Sequence, residues 1–270
     1  MPASKKFSTG PKILAIIPAR GGSRGIPNKN IRSFCGLPLI AYSIKQALSL
    51  QKQDLIDRLI VSTDNPKIAA TAQKYGAEVP FLRPPELATD TANAINAIIY
   101  TLRRLKKDED YEPAQVMILQ TTSPLREISD IKKTIAKMAE TEAPSVVTIC
   151  PTHSLFYHLD NKDNLLLVNK KDINLKKSSN RQKMPVGYKL NGCFVYLTKY
   201  QTLLREKTVF PKNTKAVICD VWRSLDLDEP ADWALAEIVF KNRNKIKQNI
   251  KKIELEKRIR EKKIKKPVKL

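Results

Sequence analysis

The chain has 270 residues, enough for one large domain or two small ones, and 42% of them are hydrophobic. That share, with 6% aromatic residues, excludes an intrinsically disordered chain. The sequence has no run of eighteen apolar residues, so it predicts no membrane span. The 49 Lys and Arg residues outnumber the 27 Asp and Glu residues, so the formal net charge is +22. Such a charge suits anionic substrates, nucleic acid or anionic lipid and does not choose among them.

The cysteines and histidines do not predict a zinc site. The four cysteines are separated by 115, 43 and 26 residues, so no C-x-x-C pair exists. His153 and His158 have no cysteine pattern near them. The first twelve residues lack the apolar segment of a secretory signal, so we expect a cytoplasmic protein with reduced thiols.

Strand-like and helix-like segments alternate along the first 150 residues. Short apolar runs predict strands at 12–17, 59–61, 116–119 and 145–149, and helical spacing predicts helices at 38–50, 64–76, 91–107 and 128–140. This alternation predicts an α/β fold, with a Rossmann-like, mostly parallel sheet flanked by helices. Ligands of such sheets bind beyond the carboxyl ends of strands, here the loops after Ile17, Val61, Leu119 and Ile149.

The alternation stops between about residues 151 and 200. This stretch is richer in polar residues and has two short strand-like runs, 164–168 and 192–197. We interpret it as an insertion, a small β arm over about residues 151–190, and not as another βαβ unit. The α/β pattern resumes with a strand at 216–218 and a helix from Pro230 to about Arg243. Residues 1–240 are therefore predicted to form the α/β domain.

Residues 241–270 are predicted to form a basic, helical tail. They hold 14 Lys or Arg and 3 acidic residues, which is half of the chain's net charge. Ile246, Ile250 and Ile253 follow helical spacing, but Lys257 and Arg260 stand where the apolar stripe would continue. The pattern favours a solvated helix, and a weak contact with a polyanion or a membrane surface is the alternative.

The loop after the first strand is the most informative segment. Residues 18–30 read PARGGSRGIPNKN and hold three of the chain's eight glycines. Glycines let successive backbone N–H groups form an anion-binding concavity, and Arg20, Arg24 and Lys29 add positive charge. We interpret the loop as a polyphosphate site, with a plain Gly-rich turn as the alternative. It fits neither the P-loop nor the G-x-G-x-x-G pattern, so hydride-transfer cofactors lose support.

Asp226 and Asp228 form a candidate metal site near the other end of the chain. In an extended segment, residues two apart face the same side, with Leu225 and Leu227 on the other side. Two carboxylates suit Mg²⁺, which takes one or two of them together with substrate phosphates and water. Capping of the helix that begins near Pro230 is the alternative, and it gives no reason for Asp226.

Six blocks, in order, resemble one known family. They are residues 16–30 with 36–40, 60–64, 82–91, 119–126, 181–182 with 191–192, and 226–230, so they span about residues 12–240. The family is that of the CMP-sialic acid synthetases, or acylneuraminate cytidylyltransferases, which have a nucleotide-diphospho-sugar transferase fold. The resemblance implies coupling of CTP to a nine-carbon 2-keto acid sugar, such as sialic or legionaminic acid, with release of pyrophosphate.

The resemblance also assigns roles to residues of this sequence. It implies that Arg20, Lys29, Asp226 and Asp228 are catalytic. It implies that CTP binds Arg20, Gly21, Gly22, Ser23, Lys29, Asn30 and Arg83. It implies that the acid sugar binds Gln120, Arg181, Lys189 and Asn191. It implies that Asp226 and Asp228 hold Mg²⁺, or Mn²⁺ in its place. Lys189 stands where relatives commonly carry arginine, so it keeps the charge and loses the fork geometry.

The resemblance also implies a homodimer, in which the β arm of one subunit reaches the sugar pocket of the other.

Two other functions stay open. One is a related nucleotidyltransferase for another acid sugar, such as pseudaminic or 3-deoxy-octulosonic acid. The other is a nucleic-acid-binding protein that uses the basic charge, which leaves the aspartate pair unexplained and has no docking motif in the sequence.

Overall fold

The computed structural model describes residues 12–89, 91–152, 157–159, 161, 164–167, 186–192 and 194–264. The strands are β1 Ile13–Pro18, β2 Ser33–Phe34, β3 Leu37–Pro38, β4 Arg58–Ser62, β5 Gln115–Ile118, β6 Ser145–Thr152, β7 Tyr157–Leu159, β8 Leu165–Leu167, β9 Gly187–Leu190, β10 Tyr196–Lys199 and β11 Lys215–Ile218. The helices are α1 Leu39–Gln51, α2 Pro66–Lys74, α3 Ala94–Glu109, α4 Ile128–Thr141, α5 Tyr200–Glu206 and α6 Pro230–Ile264.

A seven-stranded sheet forms the centre of the fold, in the order β11-β6-β10-β5-β1-β4, with β9 also paired to β6. Strand β1 is parallel to β4 and β5, and β11 is parallel to β6. Only β9 and β10 run antiparallel to their neighbours within the part of this sheet that the structure describes. The predicted α/β fold with a mostly parallel sheet is confirmed.

Strand β10 contains the end of the predicted 192–197 run, which lies outside the arm interpreted over about residues 151–190. The structure places residues 196–199 inside the central sheet, antiparallel between β5 and β6. Leu197 lies in one core layer and Tyr196 packs against the other, so this strand is covered on both faces. A buried run of four residues has no alternation that would reveal which sheet it joins.

The predicted arm is described only in part. Strands β7 and β8 pair with each other outside the central sheet, which agrees with a small β element there. Residues 168–185 of the predicted arm lie outside the described residues.

Helices cover both faces of the central sheet because its strands are apolar on both sides. In β1, Ile13, Ala15 and Ile17 belong to one core layer, whereas Leu14 and Ile16 belong to the other. Helices α1, α2 and α4 pack on the first face, and α3 and α5 pack on the second. Loops that follow the parallel strands therefore meet at one edge, with the helices around them.

A third cluster joins the β2–β3 hairpin to α6. The ring of Phe34 lies edge-to-face with those of Tyr42, Trp233 and Phe240, at centroid distances of 5.6, 5.4 and 5.4 Å. Leu227, fully buried, belongs to the same cluster. These contacts bring the segment that carries the two aspartates against the first third of the chain.

Helix α6 is longer than the sequence predicts. It runs for 35 residues, through the predicted domain boundary at residue 240, and residues 251–261 are exposed. The structure places residues 241–264 of the predicted basic tail in this helix, and residues 265–270 lie outside the described residues. The division of the chain at residue 240 and a separate basic tail stay predictions. Among the described residues, we find no helix whose length and apolar content would let it cross a bilayer.

Candidate functional site

A cleft of about 520 Å³ opens at the carboxyl ends of β1 and β5. Its walls come from the loop after β1, the segment before α3, the loop after β5, and the segment before α6. Site residues predicted from the sequence that line it are Arg20, Ser23, Lys29, Asn30, Arg83, Gln120 and Asp228. The cleft thus brings together residues that lie more than 200 positions apart, at the sheet edge where a ligand was expected.

The loop after β1 and the aspartate segment are in direct contact. Lys29 Nζ donates to Asp228 Oδ1 at 2.8 Å and to the Leu227 carbonyl at 2.8 Å. A β-carbon built on Gly25 would lie 2.1 Å from the Asp228 carbonyl oxygen, so only glycine fits there. The close approach of two backbones therefore requires this glycine of the loop.

Asp226 is not among the residues that line the cleft, and it holds an unsatisfied carboxylate oxygen. Its Oδ1 is buried and has no hydrogen-bond partner among the described residues. Burial raises the pKa of the Asp226 carboxyl above its ordinary value, and the nearby negative charge of Asp228 acts in the same direction. A hydrogen bond from Thr122 and the charge of Lys29 act the other way on this pKa. A buried carboxylate of this kind is ready to accept a cation or a proton.

Sequence reasoning missed Asp64, which contacts the loop after β1 and Arg83 at the cleft. Its Oδ1 accepts the Gly21 N–H at 3.1 Å and lies 3.5 Å from Arg83 Nη2. Asp64 comes immediately after β4 and belongs to the block at residues 60–64, and this position could have identified it as a site residue. Arg83 is only 6% exposed, and its Nε has no hydrogen-bond partner among the described residues. Burial lowers the pKa of Arg83, Asp64 opposes that effect, and Arg20 adds to it.

Asn30 ties two walls of the cleft together. Its Nδ2 donates to the Arg20 carbonyl at 2.9 Å, and its Oδ1 accepts the Thr121 hydroxyl at 2.6 Å. Both ends of the buried amide are therefore used within the protein. This geometry gives Asn30 a holding role beside the CTP contact that the resemblance implies.

Replacing Asn30 by alanine should lower the free energy of unfolding by about 1–3 kcal/mol, because it removes the hydrogen bonds to the Arg20 carbonyl and the buried Thr121 hydroxyl. Urea denaturation measures this difference. Asn249→Ala, at an exposed position of α6, is the control and should leave stability unchanged. Equal stability of the Asn30 variant and this control would show that the two bonds contribute nothing.

The cleft lining does not include Gly21, Gly22, Lys189 or Asn191. Gly21 packs against Asn65, so its substitution would crowd that side chain, whereas Gly22 has open space around it. Lys189 is exposed on β9. Asn191 is buried, with its Oδ1 accepting from Thr148 and its Nδ2 donating to Ser224. Arg181 lies outside the described residues. The sugar-binding roles of these last three residues stay predictions.

The fold and the site define a class: an α/β protein with a glycine-rich basic loop and acidic residues at the carboxyl edge of its sheet. Its sequence matches the Cytidylyltransferase family over residues 14–264. CMP-N,N'-diacetyllegionaminic acid synthase of Legionella pneumophila subsp. pneumophila is 35% identical over 231 residues, 84% of this chain and 95% of that protein. N-acylneuraminate cytidylyltransferase of Escherichia coli O18:K1:H7 is 34% identical over 238 residues, 87% of this chain and 54% of that protein.

A solved structure supports the same fold. A CMP:2-keto-3-deoxy-manno-octonic acid synthetase complexed with CTP superposes with a TM-score of 0.65 and 14% identity, covering 86% of this chain and 99% of that one. The chain therefore belongs to the cytidylyltransferase family, and the resemblance noted in the sequence is confirmed.

Proposed function

We propose that this chain transfers CMP from CTP to a nine-carbon 2-keto acid sugar of the legionaminic or sialic acid type and releases pyrophosphate. The observation that carries the proposal is the cleft itself, which joins the basic loop after β1 to Asp228 and Gln120. Support for the acid sugar comes from the relatives, whose names specify legionaminic acid and N-acylneuraminate.

Four residues in the cleft supply donors for a triphosphate: Arg20, Ser23, Lys29 and Arg83. Arg20 is held by a bond from its Nη1 to the Thr89 carbonyl at 2.9 Å. The buried Nε of Arg83 has no partner among the described residues, so a phosphate oxygen would satisfy it. The bound anion would also offset the desolvation of this guanidinium.

Asp226 and Asp228 fit the metal that the family implies. The unpartnered Oδ1 of Asp226 and the exposed carboxylate of Asp228 provide oxygen ligands of the kind that Mg²⁺ or Mn²⁺ takes. The described residues hold no group of three or more metal-ligating side chains, which agrees with a metal that substrate phosphates help to bind. When bound, the metal neutralises phosphate charge and acidifies a coordinated hydroxyl.

In the proposed reaction, the anomeric hydroxyl oxygen of the sugar forms a bond to the α-phosphorus of CTP. The bond from the α-phosphorus to the oxygen that bridges to the β-phosphorus breaks, and pyrophosphate leaves. The hydroxyl proton is lost to water. Arg20, Lys29 and Arg83 hold the phosphates in line and stabilise the charge that moves to the leaving group. Gln120 offers an amide donor and acceptor to the sugar from the opposite wall.

Pyrophosphate release with CTP, Mg²⁺ and a panel of acid sugars tests the proposal. The panel contains sialic, legionaminic, pseudaminic and 3-deoxy-octulosonic acids. Turnover with one of the first two supports the proposed substrate class, whereas turnover only with one of the last two selects the alternative. Absence of turnover with every sugar would contradict the proposed reaction. Omission of the metal, with chelator added, should abolish turnover.

An apolar face on the sheet supports a homodimer. Ile218 of β11, Ile149 of β6 and Leu190 of β9 stand opposite one another across three neighbouring strands, so they share one side of the sheet. Pro151 and Tyr188, two residues further along, continue the row. Ile218 is 54% exposed and Leu190 is 47% exposed. We call these five residues the apolar face.

The occupant that we propose for the apolar face is a second copy of this chain. A groove of about 800 Å³ beside it is lined by further apolar side chains, among them Val221, Trp222 and Ile250. Contiguous exposed apolar surface of this kind marks an interaction site. A twofold axis through the face would bury the row of one subunit against that of the other.

Ile218→Glu should shift the protein from dimer to monomer. Burying a carboxylate on each side of the axis costs several kcal/mol, so the dissociation constant should rise at least about 10²-fold. Sedimentation velocity over a range of concentrations measures the shift. Leu235→Glu, which changes a 49% exposed leucine on α6, is the control and should remain dimeric. A purely monomeric unsubstituted protein would refute the dimer.

We also propose a cytoplasmic location, because Cys35, Cys150 and Cys219 are free thiols.

The contact of the basic tail with a polyanion or membrane stays a prediction. Deleting residues 244–270 should preserve turnover and remove any such binding. Cosedimentation with anionic vesicles and a filter-binding assay with RNA measure the two forms of that contact.

A further inference from the structure

Arg126 forms a buried polar centre behind the cleft. It follows the loop after β5 and is 2% exposed. Its Nη1 donates to the carbonyls of Phe194 at 2.6 Å and Gln120 at 3.2 Å. Its Nη2 donates to Ser43 Oγ at 2.5 Å, and its Nε donates to Gln46 Oε1 at 2.8 Å. One guanidinium thus connects α1, the loop after β5 and the segment before β10.

The backbone of Gln120 is held by two side chains of this centre. Its carbonyl accepts from Arg126 Nη1 and also from Ser43 Oγ at 2.9 Å. The side chain of Gln120 lies on the opposite side, in the wall of the cleft, where the Thr122 hydroxyl donates to its Oε1 at 3.4 Å. Two side chains therefore hold the Gln120 backbone, and the same residue contributes to the lining of the cleft.

We propose that Arg126 is a positioning residue that sets the orientation of Gln120 toward the acid sugar. The proposal rests on the proposed function, because it takes the acid sugar as the ligand of Gln120. A guanidinium has five donors in a rigid fork and can reach all four acceptors together. A lysine ammonium at this place would reach fewer of them and would leave the Gln120 carbonyl free to shift.

The nucleotide side of the cleft is held by other residues. Asn30 binds the Arg20 carbonyl, and Asp64 binds the Gly21 N–H. The four side-chain bonds of Arg126 described above end instead at Gln46, Ser43, Gln120 and Phe194. Loss of the Arg126 fork should therefore act on the sugar more than on CTP.

Steady-state kinetics of Arg126→Lys test this selectivity. The KM for the acid sugar should rise at least about tenfold, while the KM for CTP should change less than about twofold. Ser145→Ala is the matched control, because Ser145 is a buried hydroxyl with three partners at the opposite end of the sheet. It should leave both KM values unchanged. Equal effects of Arg126→Lys on the two KM values, or an effect on kcat alone, would overturn the proposal.

A double-mutant cycle with Gln120→Ala separates positioning from simple destabilisation. If Arg126 acts through the Gln120 amide, Arg126→Lys should cause little further rise in the sugar KM once that amide is absent. Additive effects of the two substitutions would overturn the proposal. Failure of the unsubstituted protein to turn over any acid sugar would remove the proposed function and this inference together. Normal turnover with an unchanged sugar KM in Arg126→Lys would remove this inference alone.

Discussion

Asp226→Asn should reduce cytidylyl transfer at least about 10²-fold, which is the scale of losing one electrostatic contact to a transition state. Asparagine keeps the shape of the side chain and removes the negative charge that we propose for metal binding. The measurement is pyrophosphate release with CTP and acid sugar at saturating Mg²⁺. Asp228→Asn should have a similar effect on turnover, with the additional loss of the ion pair to Lys29.

The stability of Asp226→Asn should equal or exceed that of the unsubstituted protein at neutral pH. Burial raises the pKa of Asp226, so the ionised carboxylate destabilises the folded state wherever it is charged. The gain in the free energy of unfolding that asparagine brings is complete at pH values above the raised pKa that Asp226 has in the folded protein. It disappears as the pH falls below the ordinary value of an aspartate, because both states then hold the proton. Urea denaturation at several pH values measures this trend.

The control for this prediction is Asp220→Asn, which changes an aspartate near the same segment. The Asp220 side chain is 61% exposed and binds Arg223, outside the residues that line the cleft. It should keep nearly full turnover. Full activity in Asp226→Asn would show that this carboxylate takes no part in catalysis. A large loss of stability instead would show that its charge is satisfied in the folded protein.

Gly25→Ala should have the second large effect, because it forces apart the loop after β1 and the aspartate segment. The added methyl group would stand 2.1 Å from the Asp228 carbonyl oxygen, so one of the two backbones must move. Overpacking of this kind costs about 1–3 kcal/mol of stability. Displacing Asp228 from Lys29 should lower kcat/KM by at least about 10²-fold, since small misplacements of reacting groups have effects of that size.

Gly22→Ala is the matched control for stability, because no heavy atom lies within 4 Å of the added methyl group. Its free energy of unfolding should match that of the unsubstituted protein, while Gly25→Ala unfolds at a lower urea concentration. A crystal structure of Gly25→Ala would show the direction in which the backbone moves. Unchanged stability and activity in this variant would mean that the two segments are not packed against each other.

The candidate site shows which features local sequence can predict. The glycines and cations of residues 18–30 lie together along the chain, so an anion-binding loop could be predicted without a structure. The spacing of Asp226 and Asp228 predicted two carboxylates on one side of an extended segment. Leu227 is fully buried as expected, but Asp226 Oδ1 is also buried, Asp228 is exposed, and the Asp228 N–H donates to the Asp226 carbonyl in a turn. Arg83 looks like an ordinary surface arginine in the sequence, but the structure buries it beside Asp64.

The sequence by itself determined the strand and helix pattern, the place of the loop after β1, and the family. The spacing of hydrophobic residues and the content of glycine are local properties, and they influence the conformation of the chain within a few residues. Only the tertiary structure decided that β10 enters the central sheet, that Asn30 joins two cleft walls, and that Arg126 holds Gln120 from behind. The Asn30–Thr121 and Arg126–Phe194 bonds link residues 91 and 68 positions apart, and β10 pairs with a strand distant in the chain. Packing of the whole domain, and not local propensity, therefore selects these contacts.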